Sequence, residues 1–229
     1  MTLAWTMSSN VTTFALIREG ASDDGLIPHL RELMIRAGLD AVIGSSRDYK
    51  GSVERCLDLL NREETQVDLI FVHRDADGQN SVARIGEILG ASRSITTSQT
   101  PVVPVVPIQE IEAWLLLDEG AIRHVVGKPS GRQPLGLPRA RDVEGVAQPK
   151  EVLQTACLQA SGTAGRRYRE EKRRFPERRR ILLERLDIDG PVRTLAAWAR
   201  LEQDIGSAVA AINRAHEHTP VDPAVDNFP

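Results

Sequence analysis

Two short, nearly unbroken apolar runs constrain this chain more than any other feature: TTFALI at residues 12–17 and VDLIFV at residues 67–72. A strand with one face in water alternates apolar and polar side chains. A strand buried on both faces reads as a continuous apolar run, which is the habit of parallel sheets covered by helices. Between and after these runs the period changes. Ser22 is placed to cap a helix, Asp23 and Asp24 suit the positive end of its dipole, and Leu26, Ile27, Leu30, Leu33 and Met34 recur at helical spacing before Gly38. A short second strand is expected at 40–43, then a helix at 51–61 with Val53, Cys56, Leu57 and Leu60 on one face. A helix at 81–89, a strand at 102–106 and a helix at 109–117 complete the pattern, and Pro104 pushes that last strand toward a sheet edge or a bulge. The alternation predicts an α/β layer with a mostly parallel sheet over residues 11–125.

After about residue 125 the texture changes. Residues 126–149 are rich in Gly, Pro and Arg and read as a long loop, a feature that in compact domains is often functional. A helical region follows over 150–216, with helices expected at 151–159, 165–186 and 191–215, and the Pro-rich tail at 217–229 reads as disordered. A chain of 229 residues can hold one domain of ordinary size with an appended subdomain, and 41% hydrophobic with 27% charged residues is an ordinary composition for a globular protein. No apolar run approaches the roughly 20 residues that span a bilayer. The first ten residues have no basic segment and too short an apolar stretch for a secretory signal; they read as a loose leader, with Met7 as an alternative start. Cys56 and Cys157 form no CxxC pair, which excludes a zinc ribbon or a thioredoxin-type motif, and two reduced, packed thiols fit a cytoplasmic protein.

The acidic residues fall at informative places. Glu19 follows the first expected strand, and Asp75 and Asp77 follow the third. Ligands of open α/β sheets bind in the crevice outside the carboxyl ends of the strands, so the two groups can meet there. Side chains two apart on an extended chain point the same way, which lets Asp75 and Asp77 reach one ion together. Clustered carboxylates repel one another unless a cation neutralises them, and hard oxygen ligands suit Mg²⁺ or Mn²⁺. Competing motifs fit less well. An EF-hand would need acids where Gly78 and Gly86 stand, a haloacid-dehalogenase-like phosphatase puts its DxD after the first strand, and a receiver domain wants an acidic pair where Arg18-Glu19-Gly20 lies.

The segments LIREGASDDGLIPHL, IFVHRDADG and VPIQEIEAWLLLDEGAI, in this order, resemble a Toprim-like family of unknown function related to the nuclease half of overcoming-lysogenization-defect (OLD) proteins. The resemblance covers residues 12–120 and continues weakly in QPKEVLQTA and RRYREEK. It implies a Rossmann-like, four-stranded parallel sheet with helices on both faces, and a metal centre of Glu19, Asp75 and Asp77. It further implies Asp23 and Glu112 as added metal ligands and Lys150 as a group steadying transition-state charge. Asp23 also reads as a helix-dipole residue, Glu112 as a helix-surface acid and Lys150 as a plain helix-start lysine. The long helical C-terminal part departs from simpler Toprim domains and argues against a primase or a strand-passing enzyme.

The activity implied is hydrolysis of nucleic-acid phosphodiesters with one or two Mg²⁺ (or Mn²⁺) ions, on DNA in preference to RNA, in a phage-defence or repair system with a separately encoded ATPase. The rival expectations are a non-catalytic sensor or regulatory module and a small-molecule phosphotransferase; the absence of a Gly-rich P-loop motif counts against the latter. With a net charge of −3, nucleic acid would have to be met by a local basic patch. Residues 166–180 hold nine Lys and Arg against three Glu, so Arg166, Arg167, Arg169, Lys172, Arg173 and Arg174 are the candidate contacts, with Arg132, Arg139 and Arg141 as possible additions; a solvated face of i,i+4 pairs is the competing reading. Tyr168 and Phe175 read equally as core or stacking groups, and His73 as structural.

Overall fold

The structure is a computed structural model that describes residues 11–63, 66–76, 80–95 and 100–217. Asp77 and the tail beyond residue 217 lie outside the described residues. Four strands, β1 (Val11–Ile17), β2 (Ala41–Arg47), β3 (Leu69–His73) and β4 (Val102–Val105), form one sheet in the order β2-β1-β3-β4, with every pair parallel. The chain leaves β1 for β2 on one side and returns to place β3 on the other. The order therefore reverses between β1 and β3, where the crevice at the strand ends opens.

The apolar runs are buried on both faces. Phe14 and Leu16 of β1, with Leu69 and Phe71 of β3, enter one core; Ala15 and Ile17, with Ile70 and Val72, enter the other. Phe14 and Phe71 meet edge to face at 5.2 Å. The smaller core is closed by α2 (Val53–Asn61) and α3 (Ser81–Ile95), through Val53, Cys56, Leu57, Leu60, Ile88 and Ala91. Both cysteines are free and buried.

The larger core is closed by α1 (Ile27–Arg36) and by helices of the C-terminal half: α4 (Glu112–Leu115), α5 (Glu119–Val125), α6 (Pro149–Ser161), α8 (Phe175–Glu184) and α9 (Ala196–Glu217), while α7 (Gly165–Arg173) buries no residue. Trp198 of α9 packs edge to face on Trp114 of α4 at 5.1 Å, in the same cluster as Phe14 and Leu16. The helical C-terminal region thus shares its core with one face of the sheet.

Several element bounds differ from expectation for physical reasons. β2 runs on past the expected 40–43 to Arg47, through Gly44, Ser45 and Ser46. It stays in the sheet because Gly44 lies beside Phe14 in register, where a Cβ would overlap the Phe14 ring. The helix expected over 165–186 breaks at Arg174, because Pro176 opens α8 and has no N–H with which to continue α7. The helix after β4 is a single turn, and a 3-10 turn at Ala140–Gly145 seats Val143 in the core within the expected long loop. No described helix is long and apolar enough to cross a membrane.

Candidate active site at the ends of β1 and β3

β1 and β3 are neighbours, so the residues leaving them emerge side by side. The Glu19 carboxylate accepts the backbone N–H of Asp75 at 2.8 Å through Oε2. Asp75 in turn accepts the backbone N–H of Ile111 at 3.1 Å through Oδ1, while the Ala76 N–H reaches the Gln109 carbonyl at 2.9 Å. The two acids are thus brought together, and the loop after β4 is tied to them. They line a cleft of about 370 Å³ with Gly20, Ser22, Asp23, Glu110, Lys150 and the edge of α8.

Beneath the cleft lies a buried quartet. Asp23, 2% exposed, spends both oxygens: Oδ2 on the Gly20 N–H at 2.7 Å and on His73 Nδ1 at 3.0 Å, Oδ1 on Arg179 Nη1 at 3.2 Å. Arg179 also donates Nε–H to Glu112 Oε1 at 2.6 Å and a further N–H to Ser22 Oγ. Two carboxylates and two cations bury together with no net charge, which is the condition under which charged side chains leave water at tolerable cost.

Burial works against a charge on His73, but the hydrogen bond to Asp23 and the nearby carboxylates of Asp23 and Asp75 outweigh it and raise its pKa to about 10. His73 Nε2 stands 3.5 Å from Asp75 Oδ1, an ion-pair distance without hydrogen-bond geometry. Burial likewise opposes ionisation of Asp23, yet His73, the Gly20 N–H and Arg179 together hold its carboxyl well below the usual carboxylate range.

Two of the expected ligands are engaged within the protein: both Asp23 oxygens accept hydrogen bonds, and Glu112, 1% exposed, is the buried partner of Arg179, with its Oε2 buried and without a hydrogen-bond partner among the described residues. The acid that does reach the cleft after β4 is Glu110, whose Oε2 accepts the Lys150 backbone N–H at 2.9 Å. Burial raises the Glu110 pKa, the Lys150 N–H opposes this, and the charges of Glu112 and Asp75 add to it. Lys150 also lines the cleft.

Sequence reasoning missed Glu110, Ser22 and Arg179. Arg179 had a signal: it stands on the apolar stripe of α8 with Phe175, Leu182 and Leu183, where a cation must find buried anions.

Among the described residues no three His, Cys, Asp or Glu side chains are grouped so as to hold a metal by themselves. Glu19 and Asp75 each keep one oxygen that accepts no hydrogen bond from a described residue. Two hard carboxylate oxygens fit Mg²⁺, which is commonly held by one or two carboxylates, water and substrate phosphate. The basic residues expected to touch nucleic acid do not line this cleft. Arg166, Arg167, Arg169, Lys172 and Arg173 are exposed on α7, and Arg174 pairs with Glu171 at 3.3 Å. Phe175 is buried and forms part of the cleft wall, while Tyr168 is exposed. No protein-family model, curated protein or solved structure matches the chain.

Proposed function

We propose that the chain is a Mg²⁺-dependent phosphodiesterase acting on nucleic acid, with Glu19 and Asp75 as the metal-holding pair and Asp77 as their third partner. The observation that carries this reading is the contact between the Glu19 carboxylate and the Asp75 amide across the ends of adjacent parallel strands. That contact fixes two acids over one cleft at the point where ligands of such sheets bind.

Bound there, Mg²⁺ would supply Lewis acidity toward a phosphate oxygen and lower the pKa of a coordinated water. The chain's own residues do the positioning. The Asp75 N–H orients Glu19, and the Ile111 N–H orients Asp75, so neither carboxylate has to be ordered when substrate arrives. Lys150 lines the same cleft, where an ammonium would offset charge gathering on the phosphate. Glu110 also lines it, where a carboxyl group can exchange a proton with the leaving oxygen. Phe175 and Pro176 give the cleft an apolar wall.

The test is cleavage of supercoiled plasmid and of RNA with Mg²⁺ or Mn²⁺, for the wild type beside Asp75→Ala and Glu19→Gln. Metal-dependent cleavage that falls by about 100-fold or more in both variants is expected, the usual scale for removing groups that act on transition-state charge. Equal cleavage by all three proteins would end the proposal. Metal binding without cleavage of either substrate would move the chain to the non-catalytic regulatory reading.

A further inference from the structure

Outside the cleft, the described surface carries a strongly basic face on α7. Every residue of this helix lies outside the core. Arg166, Arg169, Lys172 and Arg173 are spaced three, six and seven residues along it, so they share one face, and together they line a shallow hollow. Arg166 pairs with Glu170 at 3.0 Å yet is 89% exposed, and Arg169, Lys172 and Arg173 form no ion pair with any described residue. Cations set side by side on one helix repel one another and weaken it, unless an anion is met there. Tyr168, 42% exposed, is four residues before Lys172 and so flanks the same face. At its C-terminal end α7 passes through Arg174 straight into Phe175 and Pro176, which wall the acidic cleft.

We propose that α7 is the track along which single-stranded nucleic acid reaches the cleft, its phosphates on Arg169, Lys172 and Arg173 and a base stacked on Tyr168; this rests on reading the cleft as the seat of phosphodiester hydrolysis. Three observations point to a strand over other anions. Nine helical residues span about 13 Å, longer than a single phosphate needs, so the face suits a polyanion. An exposed aromatic beside a row of cations is the combination that holds unpaired strands without regard to sequence, whereas the base faces of a duplex are already stacked on one another. A cleft of about 370 Å³ has the size of a small-molecule site, closer to a nucleotide or two of an unpaired strand than to the width of a duplex. The division of charge also has a use: the acidic cleft alone would repel a phosphate chain, and a basic approach at its edge offsets that.

The test separates binding from chemistry. Fluorescence anisotropy in EDTA, with a thymidylate oligomer longer than a site of roughly 4–16 nucleotides and a duplex of equal length, reads the track alone. The wild type should prefer the single strand. Arg169→Glu combined with Lys172→Glu should weaken binding by about tenfold or more and flatten its salt dependence by about 0.7 for each phosphate no longer neutralised. Tyr168→Ala should weaken it by about fivefold or more with the salt slope unchanged. Hydrolysis of bis-p-nitrophenyl phosphate with Mn²⁺ reads the cleft alone and should be the same in these variants, whose substitutions are at exposed positions. Unchanged affinity in the charge-reversed protein, tighter binding of the duplex, or equal competition by polyglutamate would overturn the proposal. If the wild type binds the strand through α7 but hydrolyses neither oligomer nor small diester, the track stands and the reading of the cleft falls.

Discussion

At the end of β3, His73 sits between Asp23 and Asp75 with 1% of its surface exposed. Its pKa is raised from 6.5 to about 10, so the folded state holds a proton that the unfolded chain releases across that interval. The stability this contributes is complete below about 6.5 and is lost as pH rises through about 10. Asp23 behaves in the opposite sense: its folded pKa is depressed, so its contribution is complete above the ordinary value of 3.8 and is lost as pH falls through the folded value. In metal-free protein His73 should therefore contribute a decline in the urea midpoint from 6.5 toward 10, and Asp23 a decline as pH falls below 3.8. His73→Gln should flatten the alkaline decline, and an alkaline arm identical in the two proteins would contradict the assignment. Arg179 completes the quartet, and its fork is used in a way lysine cannot copy, with Nε on Glu112 and Nη1 on Asp23.

At the scale of elements, the unbroken runs at β1 and β3 made the parallel sheet legible in the sequence, because only strands covered on both faces read that way. Pro104 likewise marked β4 as the edge it proves to be. β2 was only partly legible: Gly44-Ser45-Ser46 has turn composition, and what keeps it in the sheet is the Phe14 ring one strand away, a tertiary fact. The same packing gives a test. Gly44→Ala should place a methyl group in the Phe14 ring and destabilise by about 1–3 kcal/mol, read by urea unfolding. No loss of stability would mean that Phe14 does not fill the space beside Gly44. The site was legible to the extent that it follows from strand ends. Glu19, Asp75 and Lys150 line one cleft, whereas Glu112 is buried against Arg179 and Glu110 lines the cleft in its place. The choice between two acids two residues apart depends on Arg179, 67 positions on from Glu112, and no local pattern carries that.

Across the whole molecule, one core holds the sheet and the C-terminal helices together, and this is what brings α8 over the ends of β1 and β3. The C-terminal half therefore does more than cover apolar surface. It supplies Arg179 to the buried quartet, Phe175 and Pro176 to the cleft wall, and through α7 a basic face beside an acidic one. The proposed chemistry needs a cation at Glu19 and Asp75. A crystal soaked in Mn²⁺ tests this most directly. An anomalous difference peak within ligand distance of both carboxylates, absent in Asp75→Ala, is expected; a map with no peak there, or a peak that persists in the variant, would contradict it.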